Sequence, residues 1–185
     1  MAEGTLRVLA IAGSLRKESY NRGVLRAAHE LAPPGLAIES FDLRPIPLYD
    51  GDVESQGFPP SVEDLRERIR AADAVLIATP EYNYSVPGVL KNALDWASRP
   101  PDQPFADKPV AIVGATPGGF GTTRAQHHLR QSFVFLDARL LSRPELLIGG
   151  AAAKFDAEGR LHDERTRQLL GDLLRALESW ARRLR

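Results

Sequence analysis

Short apolar runs alternate along the chain with segments whose apolar residues recur every three or four positions. The spacing predicts a first strand over Leu6–Ala12. Val24, Leu25, Ala28, Leu31 and Ala32 follow at helical period and end at Pro33-Pro34-Gly35. Leu36–Phe41 alternates, as a strand near a sheet edge does. Residues 42–60 hold four prolines and read as a long irregular loop. Ser61 is expected to cap a helix carrying Val62, Leu65, Ile69 and Ala72, with Asp64 in its acid-favouring first turn. Ala74–Ala78 is the third strand. Pro87 opens a helix with Val89, Leu90, Ala93, Leu94 and Ala97, closed by Pro100-Pro101. A fourth strand over 110–115 precedes a helix with Leu129, Phe133 and Leu136. Residues 139–142 and 145–148 form a fifth strand, interrupted near Pro144, and the last helix is expected to bury Leu169, Leu173, Leu177, Trp180 and Leu184.

Five strand–helix units without repeats or low-complexity tracts predict an α/β fold. The implied architecture is a three-layer sandwich around a five-stranded parallel sheet of order 2-1-3-4-5. At 185 residues the chain is expected to form a single domain over residues 1–185, long enough to bury roughly 70% of the surface exposed on unfolding. Lysine plus arginine number 24, as do aspartate plus glutamate, so bulk charge favours neither a nucleic acid nor an anionic membrane as partner. Without cysteine there is no disulfide framework, thiolate metal site, redox dithiol or cysteine nucleophile. Acidic Glu3 and Arg7 interrupt any signal-peptide pattern, and no stretch approaches the roughly 18 apolar residues of a membrane span, so a soluble cytoplasmic protein is the simplest reading.

In a 2-1-3-4-5 sheet the strand order reverses between the first and third strands, and ligands bind at the carboxyl ends there. Two unusual loops follow those strands. Gly13-Ser14-Leu15-Arg16-Lys17-Glu18-Ser19-Tyr20-Asn21 offers hydroxyl, amide and guanidinium donors that suit a phosphate at a helix N-terminus. The plainer alternative is a turn with an N-cap. It accounts for one of Ser19 and Asn21 and leaves Ser14 and Arg16 without a role. Thr79-Pro80-Glu81-Tyr82-Asn83-Tyr84-Ser85-Val86-Pro87-Gly88 pairs proline-stiffened amides with rings, which suits a flat heterocycle; equally, it is a proline-rich connection with surface tyrosines. After the fourth strand, Gly118, Gly119 and Gly121 permit either close backbone approach to a ligand or left-handed turns, with Thr116 placed to reach a ring edge. A Walker-type phosphate loop and a G-x-G-x-x-G after the first strand are both missing. His127-His128 lacks metal-site spacing and reads as a surface or subunit-contact pair, and no metal site or protein nucleophile is expected.

At these residues the chain resembles the flavodoxin-like NAD(P)H-dependent FMN reductases, particularly the quinone and chromate reductase branch. The matching runs are G-S-L-R-K-E-S-Y-N at 13–21, D-L-R-P-I-P-L-Y-D at 42–50, P-E-Y-N-Y-S-V-P-G-V-L-K-N-A-L-D-W at 80–96 and G-A-T-P-G-G-F-G-T-T-R at 114–124. The resemblance implies FMN as cofactor, NADPH or NADH as co-substrate, and a small-molecule electron acceptor. It also implies a homodimer or a dimer of dimers. Hydride would pass through the flavin in ping-pong fashion, with no protein group serving as catalyst. By matching position, Ser14, Arg16, Ser19, Tyr20 and Asn21 would hold the phosphate. Pro80, Glu81, Tyr82 and Asn83 would hold the ring with Ser85 nearby, and Thr116 and Gly118 would lie along its other edge. The backbone of Glu81 is expected to matter more than its carboxylate. The loop at 42–60 and Arg124 of a partner subunit are expected to border the acceptor site. Two other readings are an FMN-binding electron carrier, which the zero net charge disfavours, and a non-enzymatic binding module.

Overall fold

The apolar runs become the strands of one parallel sheet. A computed structural model describes residues 4–185; Glu3, part of the expectation for the N-terminus, lies outside them. The elements run β1 (Leu6–Ala12), α1 (Tyr20–Leu31), β2 (Leu36–Phe41), α2 (Gly51–Glu54), α3 (Pro60–Ala71), β3 (Ala74–Ala78), α4 (Gly88–Ala97), β4 (Pro109–Ala115), α5 (Thr123–Phe135), β5 (Arg139–Leu140), β6 (Leu146–Ile148) and α6 (Glu164–Arg183). Strand order is β2-β1-β3-β4-β5, with β6 also paired to β4, and every pairing is parallel. The expected sheet order therefore holds, while the fifth strand divides into two short pieces around residues 141–145.

Alternation along each strand divides the core into two layers. Val8, Ala10, Leu76 and Val113 face one cluster with α1 and α6, whereas Leu9, Ile11, Ile77 and Ile112 face another with α3, α4 and α5. β3 and β4 are buried along their whole length, which is why they read as unbroken apolar runs. β2 is an edge strand and shows mixed exposure, as its alternation predicts.

Three local expectations need correction. Residues 42–60 are not wholly irregular: Asp50 caps α2 by accepting from the Asp52 N–H at 2.9 Å. Ser61 does not cap α3. That helix starts at Pro60, where a missing N–H costs nothing, and has Glu63 in its first turn, while the Ser61 hydroxyl donates to the Pro45 carbonyl at 2.9 Å. α6 is rotated from the expected face. Leu170, Leu174 and Ala181 are buried beside Leu173 and Leu177, while Leu169 and Leu184 point outward. Both sets step by three or four residues and share Leu173 and Leu177, so periodicity admits either stripe, and packing on the sheet selects the one that Leu170, Leu174 and Ala181 complete. Of the two cap candidates for α1, Ser19 is the cap, accepting from the Asn21 N–H at 3.2 Å.

The 42–60 segment is tied to α4. The Asn92 side chain and the Trp96 indole both donate to the Pro47 carbonyl, at 2.7 and 3.0 Å, and the Tyr49 N–H donates to Asn92 Oδ1 at 2.8 Å. Trp96 is fully buried with Tyr49 edge-on at 4.9 Å, so it packs, as expected. Buried Arg66 donates to the Ala97, Arg99 and Pro101 carbonyls and lies 4.1 Å from the Phe58 ring centre. Among the described residues, no helix is long and apolar enough to cross a membrane.

Candidate functional site

Three loops meet at the carboxyl ends of β1, β3 and β4, where the strand order reverses. Between them lies an open cavity of about 400 Å³. Ser14, Arg16, Ser19, Tyr20 and Asn21 line it from the first loop, Pro80, Glu81 and Tyr82 from the second, and Thr116 from the third. Ala115 and Pro117 also line it and were not anticipated. Gly118 is exposed, and Asn83 and Ser85 stand outside the cavity in a turn; none of the three lines it.

The first loop is a compact turn into α1. Ser14 is buried; its hydroxyl accepts from the Arg16 N–H at 3.3 Å and lies 3.3 Å from the Tyr82 hydroxyl. The Arg16 guanidinium folds back onto the Glu18 carbonyl at 2.6 Å and sits 5.6 Å from the Tyr20 ring centre. Gly13 sits in close quarters: a Cβ there would lie 3.1 Å from the Leu90 side chain and 3.2 Å from the Pro80 ring, so both would have to shift by a few tenths of an ångström. Outside the loop, Arg44 donates to the Leu15 carbonyl at 2.6 Å and pairs with Asp42. Burial pushes the Asp42 carboxyl up, but the Arg44 N–H and the Arg22 and Arg44 guanidiniums outweigh it and hold the group below its ordinary value.

Asn21 has a role that its position in the sequence does not reveal. β4 runs past Val113, the last residue it pairs with β3. Beyond that point the Ala115 N–H donates to Asn21 Oδ1 and the Asn21 amide donates to the Ala115 carbonyl, both at 2.9 Å. The side chain thus replaces a missing strand partner and fixes α1 against the sheet.

In the second loop, Tyr82 and Ser85 exchange both backbone hydrogen bonds, at 3.1 and 3.0 Å, around Asn83 and Tyr84. Both central residues are left-handed, at φ 49° and 64°, which is the geometry of a tight I′ turn. Asparagine suits that conformation; tyrosine is strained in it. Beyond the turn, the Ser85 hydroxyl lies 3.0 Å from His128 Nδ1, and both histidines are exposed. The Glu81 carboxylate turns away to the start of α5 and accepts from the Arg124 and Ala125 N–H groups at 2.9 and 3.1 Å. In the third loop only Gly121 needs to be glycine by conformation. It is left-handed at φ 60°, and a Cβ would lie 2.5 Å from the Leu147 backbone.

The donor set fits a flavin mononucleotide. The N–H groups of Leu15, Lys17, Glu18 and Tyr20 make no hydrogen bond among the described residues, nor do those of Glu81, Asn83 and Tyr84. The first set, with two serine hydroxyls and one guanidinium, suits a phosphate; in the second, the N–H of Glu81 belongs to a residue lining the cavity and suits the polar edge of a ring. Among the described residues, no group of three or more metal-ligating side chains is arranged to hold an ion.

Comparison with known proteins gives a consistent picture. The model of a family described as NADPH-dependent FMN reductase matches residues 6–153. An NAD(P)H-dependent FMN reductase of Pseudomonas aeruginosa is 59% identical over 180 residues, covering 97% of both chains. A quinone reductase of Escherichia coli is 46% identical over 183 residues, again covering 97% of each. Among solved structures, FerB of Paracoccus denitrificans, a flavoenzyme NAD(P)H:(acceptor) oxidoreductase, superposes with a TM-score of 0.88 at 36% identity, covering 97% of this chain and 98% of its own.

Proposed function

The chain belongs to the NADPH-dependent FMN reductase family, and on that premise we propose that it is a cytoplasmic FMN-dependent oxidoreductase taking electrons from NADPH or NADH and delivering them in pairs to quinones. Related acceptors are azo compounds, chromate and free flavin. One observation carries this reading: a crevice at the reversal of the sheet joins a phosphate-suited loop to a ring-suited loop within a single cavity. Bound FMN supplies the redox chemistry, accepting hydride from the nicotinamide and passing two electrons on.

The residues of the chain bind and orient. Ser14, Ser19 and Arg16 hold the phosphate together with the free N–H groups ahead of α1. Pro80, Glu81 and Tyr82 present backbone to one ring edge, and Thr116 faces the other. No side chain must donate or remove a proton during hydride transfer, so the reading asks no protein group to act as acid or base. The crevice is open, so nicotinamide and acceptor have room to enter in turn. The expected assembly is a homodimer or dimer of dimers. Val134 and Phe135 support it, being 74% and 83% exposed near the end of α5.

The test is a visible spectrum before and after anaerobic NADPH or NADH. Yellow protein that bleaches and regains colour on adding a quinone supports the assignment. Protein that holds flavin but is not bleached by either nucleotide is an electron carrier instead. Protein that takes up no FMN overturns the reading.

A further inference from the structure

The Glu81 side chain is 12% exposed, and its carboxylate is committed in full. One oxygen accepts from the Arg124 and Ala125 N–H groups, and the other lies 3.4 Å from the Arg124 guanidinium. These N–H groups belong to the first turn of α5, whose own cap is deficient: Thr122 stands in the cap position at φ 65° and makes no side-chain cap bond. The Thr123 hydroxyl is spent on the Phe120 carbonyl. α5 is therefore capped from another loop, 43 residues earlier in the chain. An anionic acceptor there satisfies orphan donors and meets the positive end of the helix dipole.

The same residue begins the strained turn. Tyr82 follows Glu81, pairs with Ser85 around two left-handed residues, and brings its hydroxyl within 3.3 Å of Ser14 in the phosphate loop. Arg124 stacks on Tyr84 and Phe120, at 4.0 and 5.2 Å from their ring centres, and so binds the ring loop to the glycine loop a second time. We propose that the Glu81 carboxylate is the positioning residue of the flavin site, fastening the ring loop to α5 and, through Tyr82, to the phosphate loop. It acts through the backbone it holds. The free N–H of Glu81, which lines the cavity, stays where a ring edge needs it only while the carboxylate is anchored. Without the anchor, the strain of a left-handed tyrosine is left to the Tyr82–Ser85 pairing and the Arg124 stack to hold.

This inference rests on the proposed flavin site and deepens it. Flavin-free protein titrated with FMN and with riboflavin, followed by quenching of flavin fluorescence, tests both. Glu81→Ala should weaken the two ligands alike, by about tenfold, the order expected for a lost helix cap. Glu81→Met keeps the length of the side chain without a strong acceptor and carries the same expectation if the alanine variant does not fold. Glu81→Gln retains one acceptor oxygen and should restore most of the affinity. Arg124→Ala leaves both backbone N–H groups in place and should cost less than Glu81→Ala. Asp163→Ala removes a cap from α6, no residue of which lines the crevice. It should lower the melting temperature without changing either affinity, which separates positioning from general loss of stability. Wild-type protein that binds flavin with an insensitive Glu81→Ala overturns the inference alone, as does an Asp163→Ala effect on binding equal to that of Glu81→Ala. Failure of Glu81→Gln to recover affinity also overturns it. Wild-type protein that binds neither flavin overturns the functional reading and the inference together.

Discussion

At the residue scale, Arg16 and Asn21 separate a proposed binding role from a structural one. Among the described residues Arg16 is the one cation lining the crevice, and its guanidinium donates there to a single carbonyl, leaving further N–H groups for a phosphate. A charge-assisted hydrogen bond contributes about 1.5–3 kcal/mol. Arg16→Ala should therefore weaken FMN by about 10- to 100-fold and leave riboflavin, which has no phosphate, nearly unchanged. Parallel titrations check this, and equal losses for both ligands would remove the phosphate role. Asn21 is different. Its amide satisfies both polar groups of Ala115 in a buried setting. Asn21→Ala orphans both, at a cost of about 2–4 kcal/mol in stability, to be read from the urea midpoint of the flavin-free protein. The sequence marks both residues as polar groups at a strand–helix junction. It does not distinguish them, because the partner of Asn21 is 94 residues away. Glu81 was obscured in the same manner: its carboxylate serves a helix that follows the next strand, and no local spacing encodes that contact.

At the element scale, legibility follows burial. β1, β3 and β4 are nearly continuous apolar runs because both faces are covered, so no amphipathic phase had to be chosen. α6 required that choice, and its many leucines admit two faces; the sheet selects the one with Leu170, Leu174 and Ala181. α2 has four residues and no buried ones, so periodicity cannot reveal it, although Asp50 is a local cap signal. The ends of α6 also set an acid limit. At its start, the Thr166 hydroxyl and N–H donate to Asp163 and hold that carboxyl below the ordinary value of 3.8. Just past its end, Arg185 pairs with Asp73, where burial raises the carboxyl but the Arg7 N–H and Arg185 lower it further. A carboxyl whose pKa is depressed by folding contributes stability in full above its unfolded value, and loses it as pH falls through the folded value. Stability should accordingly be flat above about pH 5 and decline below about pH 4. Asp163→Asn, which keeps an acceptor but does not titrate, should flatten part of that decline. Melting curves between pH 6 and pH 3 measure both, and an unchanged acid limb in the variant would rule out the α6 cap as a contributor.

At the scale of the whole molecule, the balance of 24 basic and 24 acidic residues leaves apolar contact as the main means of self-association. Val134 and Phe135 project near the end of α5 beside a groove of about 220 Å³ between α4 and α5, lined in part by Leu94, Phe135 and Leu136. A two-fold axis places the same patch on both sides of an interface, so one substitution acts twice. Burying a phenylalanine side chain stabilises by roughly 1.5–3 kcal/mol. Replacing Phe135 with glutamate forfeits that on each protomer and also places two like charges in an apolar setting, where each is costly to desolvate. Phe135→Glu should thus raise the dissociation constant of the proposed dimer by at least about a hundredfold, which sedimentation velocity at micromolar protein will register as a shift toward monomer. Phe135 does not line the crevice, and the monomer keeps all three of its loops. Affinity for FMN should consequently stay within about twofold if those loops suffice to hold it. A monomeric Phe135→Glu that no longer retains FMN would mean that the partner protomer completes the site, and a variant that sediments as wild type would place the interface elsewhere.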